Sequence, residues 1–531
     1  EVIPGIENEY RYVQELVPAI RLDEVNAYAR ATIPAQSGKL VVYMGTTQSE
    51  LPIPSGAQLL ASVAAAEKTV VKPLDEKTLA QKLMDKTPTP GTIVAETQDK
   101  ALGVTHLTLS NGVKVMLKST DFKNDQVLIS AVRFGGQSLF PEQDIFNARF
   151  ASAIAGAMGL GAYSPIELQK ILAGKTASAG AGMGEYIDNI SGSSGSNDIE
   201  TMLQFVHLKF AAVRRDETLY KSFMSRQLEA ARNSLSTPEA VFRDTVTATL
   251  YNNHPRVARV LRPQDLSKVD FDRALDVYRA RFSSARDLTF ILVGSFDVQA
   301  IKPLLATYLA SLPTPEIPVQ YRDVGVRPVT GVVKKEVHSG TEPKSLISLN
   351  FTGPATYSEE ESMRFSALLE VMNIRIIDVL REKLSLIYGG NMYGSISRIP
   401  YGNYAIAASL PTGPENVDKV IAATFAEIER MKTQGPDADD LNKVKQNWLQ
   451  NHQKAMRENG YWLGRMQNAL INGTDPASIL VHEKMVNQIT VDDIKAAAQR
   501  YFNTGNYVQV VLYPEKSGKE DVKTDAKSDA K

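Results

Sequence analysis

Val269-Asp-Phe-Asp272, a helical stretch through Phe282 and then Thr289-Phe-Ile-Leu292 form a pattern that the chain repeats three times. The earlier copy is Ile20-Arg-Leu-Asp23, a helical stretch through Ile33, and Leu40-Val-Val-Tyr43. The later copy is Ile489-Thr-Val-Asp492, a helical stretch through Phe502, and Gln509-Val-Val-Leu512. In each copy an Asp stands where an N-cap carboxylate can accept helix N–H groups, and a β-rich run follows at the same spacing. Constant spacing predicts that Val41, Phe290 and Val510 occupy equivalent strand positions. Self-similarity of this kind marks a repeated domain and takes precedence over any local motif.

A second repeat marks where the domains begin. Leu128-Ile129-Ser130 runs into Gly135, and Leu346-Ile347-Ser348 runs into Gly353 at the same offset. Each is followed by an acidic turn and a long apolar-periodic helix, at about 143–157 and 360–380. Strands and helices are mixed rather than alternating as simple βαβ units. The fold class expected is therefore α+β: two complete homologous α/β-sandwich domains and the truncated tail of a preceding one. The boundaries that follow are 1–66 for the tail, 67–104 for a Pro-containing linker with one helix, 105–313 and 330–515 for the complete domains. Residues 516–531 alternate Lys, Asp, Ala and Ser without an apolar face and are expected to be a disordered charged tail.

Composition narrows the function classes. The 531 residues are 43% hydrophobic and 22% charged, with Lys+Arg 59 against Asp+Glu 60, which gives no electrostatic case for nucleic acid. No apolar run reaches the ~20 residues that span a bilayer. Cysteine is absent, which removes disulfides, thiolate metal sites and cysteine nucleophiles together. That absence slightly favours an oxidising compartment, periplasmic or otherwise exported, although many cytosolic proteins would also fit. The start at Glu1-Val2-Ile3-Pro4-Gly5, without Met or a signal segment, reads as a cut precursor or a fragment.

Histidine is scarce: His106, His207, His254, His338, His452 and His482. No two lie within five residues, so no helix can present the His pair of a zincin or an inverzincin. His482-Glu483 comes nearest, but Val486 stands where the second His would be. These six read as ordinary surface or core residues. Gly180-Ala-Gly182-Met-Gly184 resembles a phosphate loop only in composition: it lacks the Lys-Ser/Thr ending and leads into a strand. Close backbone packing is the plainer reading. Leu380-Arg381-Glu-Lys-Leu-Ser-Leu-Ile-Tyr388-Gly-Gly closes a long helix and enters a strand. On physics alone Arg381 is a helix-end cation facing the macrodipole and Tyr388 a packed strand residue.

The segment Leu-Arg-Glu-Lys-x-x-Leu-x-Tyr resembles a motif in the last domain of the pitrilysin/insulysin-type metallopeptidases, the inverzincins. The duplicated domain, the opening Asn111-Gly112-Val-Lys-Val and the ending Thr289-Phe-Ile-Leu-Val-Gly are similar to that family as well. The likeness covers about 1–515. It implies four related domains, with His-x-x-Glu-His and zinc in the first and an Arg and a Tyr supplied by the fourth. Arg381 and Tyr388 are then the catalytic-site residues of this chain, for substrate binding and oxyanion support rather than zinc ligation. Where the zinc helix would lie, the chain reads Asn147-Ala-Arg149-Phe-Ala-Ser152-Ala153. Arg149, Ser152 and Ala153 cannot supply the imidazole and carboxylate groups of a zinc site.

The resemblance thus implies the zinc-lacking C-terminal half of a zinc metallopeptidase, inactive as an isolated chain. No cofactor is expected in this chain, and zinc is expected in a missing N-terminal half of the same protein. That half and peptide substrates are the expected partners. The alternative is a noncatalytic scaffold or assembly subunit of the same fold, and the Arg381/Tyr388 pair favours the peptidase reading.

Overall fold

The computed structural model describes residues 4–32, 38–45, 53–71 and 82–515, and the expected charged tail 516–531 lies outside the described residues. The chain divides into two units, 1–78 and 79–531. In the first, helices α1 (Ile6–Leu16), α2 (Leu22–Thr32) and α3 (Gly56–Glu67) form, α3 behind a Ser55/Gln58 capping box. Leu40–Tyr43, expected as a strand, has no ladder partner among the described residues and is irregular. The truncated third domain is therefore not seen as such.

The second unit holds two lobes. The first contains β1 (Ile93–Asp99), β2 (Val104–Leu109), β3 (Lys114–Ser119), β4 (Val127–Phe134), α4 (Ile145–Ala157), α5 (Pro165–Ile171), β5 (Ala177–Met183) and β6 (Ile187–Ser194). It continues through α6 (Ile199–Ala211), α7 (Glu217–Arg232), α8 (Pro238–Leu250), α9 (Pro263–Leu266), α10 (Phe271–Phe282), β7 (Thr289–Gly294) and α11 (Val298–Tyr308). The second contains β8 (Val332–His338), β9 (Ser345–Pro354), α12 (Glu359–Arg375), β10 (Asn391–Ser397), β11 (Asn403–Thr412) and α13 (Val417–Gln434). It ends with α14 (Ala438–Ala455), α15 (Asn459–Asn472), α16 (His482–Gln488), α17 (Val491–Tyr501) and β12 (Tyr507–Tyr513).

The first sheet has the order β1-β2-β3-β7-β4-β6-β5 and the second, from its far edge, β8-β12-β9-β11-β10. In each, one parallel pair (β3/β7, β8/β12) adjoins an otherwise antiparallel sheet. The five strands β3-β7-β4-β6-β5 thus have the topology of β8-β12-β9-β11-β10, as duplication requires. The β1–β2 hairpin is extra, and Ile93–Asp99 is a paired strand where the sequence suggested linker.

Two details of the repeat differ from the spacing argument. The repeated Asp23, Asp272 and Asp492 each sit second in their helices rather than at the N-cap. Asp270 caps α10, accepting from the Arg273 N–H at 2.7 Å, and Thr490 caps α17 with Asp493 completing the box. The repeated carboxylates act on the helix macrodipole instead. The strands that follow are also offset. Ile129 pairs with Leu292, and Ile347 pairs with Val511. Because Ile129 and Ile347 are equivalent, Phe290 corresponds to Gln509, not to Val510. Phe290 faces its lobe's helical core, whereas Val510 faces the opposite side of its sheet, against Phe242. One residue fewer between helix and strand in the last copy produces the shift, and a one-residue slip exchanges faces.

The lobes interlock by exchange. Helix α15 of the second lies on β4 and β7 of the first, burying Trp462 and Met466 against Val104, Met116, Ile291 and Val293. Helix α8 of the first lies on β8 and β12 of the second, burying Phe242 against Val337, Val508 and Leu512. Asn459, fully buried, accepts from Thr120 Oγ1 at 2.6 Å and donates to Gln126 Oε1 at 3.1 Å across the junction. The Pro-rich connection is held as well. Arg281 donates to Pro318 O at 2.6 Å while sharing buried Asp188 with Arg133. Such a network destabilises strongly when one partner is removed, since a buried charge is left uncompensated.

Candidate functional site

The site begins with a change of helical pitch. Helix α12 continues into a π-helical stretch, Ile376–Lys383, that carries Arg381. Insertions of this kind recur at functional positions because they displace one residue from the regular ladder. The turn ends with Leu384 N–H donating to Val379 O at 3.0 Å and Leu386 N–H to Leu380 O at 2.8 Å. Ser385 takes a left-handed φ of 51°, an uncommon conformation for a residue other than Gly. Ile387 then bridges to Thr412, whose hydroxyl donates to Leu386 O at 2.6 Å. Leu380 and Ile387 are buried, and they pin the loop on both sides of its exposed residues.

Those anchors leave Tyr388 in the open. It is 91% exposed, and its hydroxyl has no hydrogen-bond partner among the described residues, so the packed-strand reading of this Tyr does not hold. Tyr388 lines a cleft of roughly 800 Å³ between the lobes. The start of α8 at Pro238–Glu239, the loop 339–345 and the turn at Pro411–Asn416 form its other walls. Arg381 does not line that cleft. Its side chain is half exposed, 3.6 Å from Glu382, and it is not hydrogen-bonded to Tyr388.

Helix α4 is the first lobe's counterpart of α12. Arg149 on it lies with its guanidinium 5.3 Å from the Phe146 ring centre, and burial lowers its pKa. Ser152 Oγ is buried without a partner, and Ala153 is exposed. Asn147 is used structurally, accepting from the Asp270 N–H at 2.8 Å. Zinc does not fit here: the helix offers one cation, one hydroxyl and no imidazole or carboxylate. Among the described residues no group of three or more His, Asp or Glu side chains could hold a metal. The glycine-rich Gly180–Gly184 run belongs mainly to edge strand β5. There Gly184 O accepts from the Gln137 N–H at 2.8 Å, and a Cβ on Gly136 would sit 2.4 Å from the same oxygen. Within the run itself a Cβ on Gly184 would lie 3.2 Å from Ile187 O, one on Gly182 would meet the Asn189 side chain, and one on Gly180 would meet nothing, so close backbone approach accounts for Gly184 alone.

One juxtaposition escapes a reading by sequence distance. His452 on α14 and His482 on α16 lie with ring centres 4.5 Å apart. Thirty positions separate them, and only the α14–α16 packing brings them together.

Comparison with known proteins places these features. Residues 268–447 match the family described as the peptidase M16 inactive domain. A zinc protease PQQL-like protein of Arabidopsis thaliana is 28% identical over 547 residues, covering 97% of this chain and 54% of that protein. The crystal structure of the periplasmic protease PqqL from Escherichia coli is 21% identical with a TM-score of 0.71, covering 87% of this chain and 51% of that one. A ferredoxin protease, FusC, solved in complex with Arabidopsis ferredoxin, aligns at 15% identity and TM-score 0.72 over 97% of this chain and 56% of its own. The chain thus spans about half the length of the relatives it matches.

Proposed function

Because the chain belongs to the M16 peptidase family, we propose that it forms the C-terminal, zinc-lacking half of a zinc metalloendopeptidase. In this reading residues 105–313 are an inactive peptidase-like domain and 330–515 a C-terminal peptidase-like domain carrying Arg381 and Tyr388. Residues 1–66 belong to a preceding domain, and a zinc-bearing N-terminal half is the partner. The substrates are peptides or unfolded segments.

The observation that carries the reading is the presentation of Tyr388. A buried phenol packs, whereas an exposed one on the lip of a cleft, held by a pinned loop, can donate to a ligand. As an amide is attacked, its carbonyl oxygen gains negative charge, and a phenol O–H placed beside it stabilises that charge. Arg381, permanently charged and rich in donors, can hold an adjacent backbone carbonyl. A scaffold of the same fold has no chemical use for an exposed phenol at the cleft. Reconstitution tests this: joined to a zinc-bearing M16 half, the chain should restore chelator-sensitive cleavage of an unfolded protein. Failure of assembled halves to cleave would leave the scaffold reading.

A further inference from the structure

Helices α12, α14, α15 and α16 line a separate, solvent-open pocket of about 360 Å³. Met363, Trp448 and Ala455 give it apolar surface. His452, on the same face of α14 as Trp448 and Ala455, joins His482 and Arg465 in the lining. The histidine rings lie with centres 4.5 Å apart, tilted by 33°, and His452 Nδ1 lies 2.8 Å from the Tyr461 hydroxyl. Arg465 spends one donor on Ser478 Oγ at 3.1 Å and forms a long ion pair with Glu359 at 3.7 Å, which a ligand carboxylate would have to compete with.

Charge decides what this pocket can receive. The groups that face it are Glu359 from α12, His452 from α14, Tyr461 and Arg465 from α15, and His482 and Glu483 from α16. Burial first, then His452 and Arg465, holds His482 down at about 4. Burial also lowers His452, with Arg465 in the same sense and Glu483 opposing. A metal would bring a second cation against Arg465 and find only two imidazoles, short of a closed site. An anion meets the reverse: a fixed guanidinium and two imidazoles that can each take up a proton as negative charge arrives.

We propose that this cavity binds the C-terminal residue of a peptide. The carboxylate lies against Arg465 and the histidine pair, and the side chain against Trp448 and Met363. Ser362 and Asn451, which also line the cavity, supply polar partners for the adjoining backbone amide. The pocket sets apolar surface, a guanidinium and amide-binding side chains next to one another, which suits a chain end that carries a side chain, a carboxylate and an amide together. This site is independent of catalysis, since a member of the fold without peptidase activity would bind the same ligand.

The test uses the whole chain and N-acetyl-phenylalanine as probe, read by the histidine C2–H resonances and tryptophan fluorescence. Saturable shifts of the His452 and His482 signals are expected, with binding several-fold tighter at pH 5.5 than at pH 7.5. N-acetyl-phenylalaninamide should bind about tenfold more weakly, the loss of one charge-assisted contact. Arg465→Gln should remove the preference for the acid over the amide. Equal binding of acid and amide overturns the proposal without recourse to any variant. Acetate alone giving the same shifts at the same concentration overturns the assignment to a peptide end.

Discussion

Lys118 of the first lobe places its ammonium 3.8 Å from the centre of the Trp462 ring of the second. The ammonium also donates to Leu102 O at 2.6 Å, and burial lowers the lysine's pKa. Trp462 in turn donates from Nε1 to Met456 O at 3.0 Å and is 5% exposed. The pair is thus a desolvated cation–π contact that closes the exchange of α15 onto the first sheet.

Trp462→Ala should therefore destabilise the chain by about 3–5 kcal/mol, the cost of emptying a large aromatic site. Part of that loss comes from leaving Lys118 charged and desolvated with the Leu102 carbonyl as its remaining partner. The double variant Trp462→Ala with Lys118→Met should recover some stability relative to the single one. Urea denaturation of the wild type, the two single variants and the double variant checks this. Strict additivity would mean that Lys118 and Trp462 do not interact energetically.

His482 gives stability a pH dependence whose sign follows from its environment. Its folded value of about 4 lies below the ordinary 6.5, so between these the unfolded chain holds a proton the folded chain lacks. Its contribution is complete above about pH 6.5 and is lost as pH falls toward 4. His482→Gln should flatten the fall in denaturation midpoint between pH 7 and pH 4.5. An unchanged slope would show that other groups account for the acid sensitivity.

The likeness of the two lobes could be anticipated because their segments repeat in sequence, with Leu128–Ser130 and Leu346–Ser348 marking equivalent positions, although the order of the strands in each sheet could not. The face of the last strand could not be anticipated. Spacing alone does not reveal that the loop after Phe502 is one residue shorter, and a slip of one reverses Phe290 and Val510. The site was half legible in the same way. The Arg381 to Tyr388 segment stood out, yet its π-helical pitch and the exposure of Tyr388 depend on tertiary anchors at Ile387 and Thr412. The His452–His482 pair was invisible, since helix packing rather than sequence spacing creates it.

Purified alone, the chain should bind no zinc stoichiometrically. Arg149, Ser152 and Ala153 occupy the exposed and half-buried positions of α4, and a guanidinium at the first of them repels a metal ion. Metal analysis after dialysis checks this, with peptide cleavage measured alongside. One tightly held zinc per chain with chelator-sensitive cleavage would reverse the assignment of this chain as the zinc-lacking half.

Tyr388→Phe separates a chemical role from a packing one. The hydroxyl has no hydrogen-bond partner among the described residues and the residue is 91% exposed, so its loss should leave the melting temperature unchanged. Surface changes of this kind stay within roughly 0.5 kcal/mol. In a reconstituted peptidase, under the proposed role of Tyr388, the same change would remove a donor to the developing oxyanion. Loss of one such donor typically lowers turnover on the order of 10²–10³-fold. Arg381→Ala should weaken peptide binding as well as turnover, because its guanidinium acts on a backbone carbonyl already present in the ground state. Arg381→Lys keeps the charge without the planar fork and should recover little. The discriminating measurement is kcat beside KM for the three variants. A Tyr388→Phe enzyme with normal kcat and a lowered melting point would make Tyr388 a structural residue and withdraw the cleft between the lobes as the place of reaction.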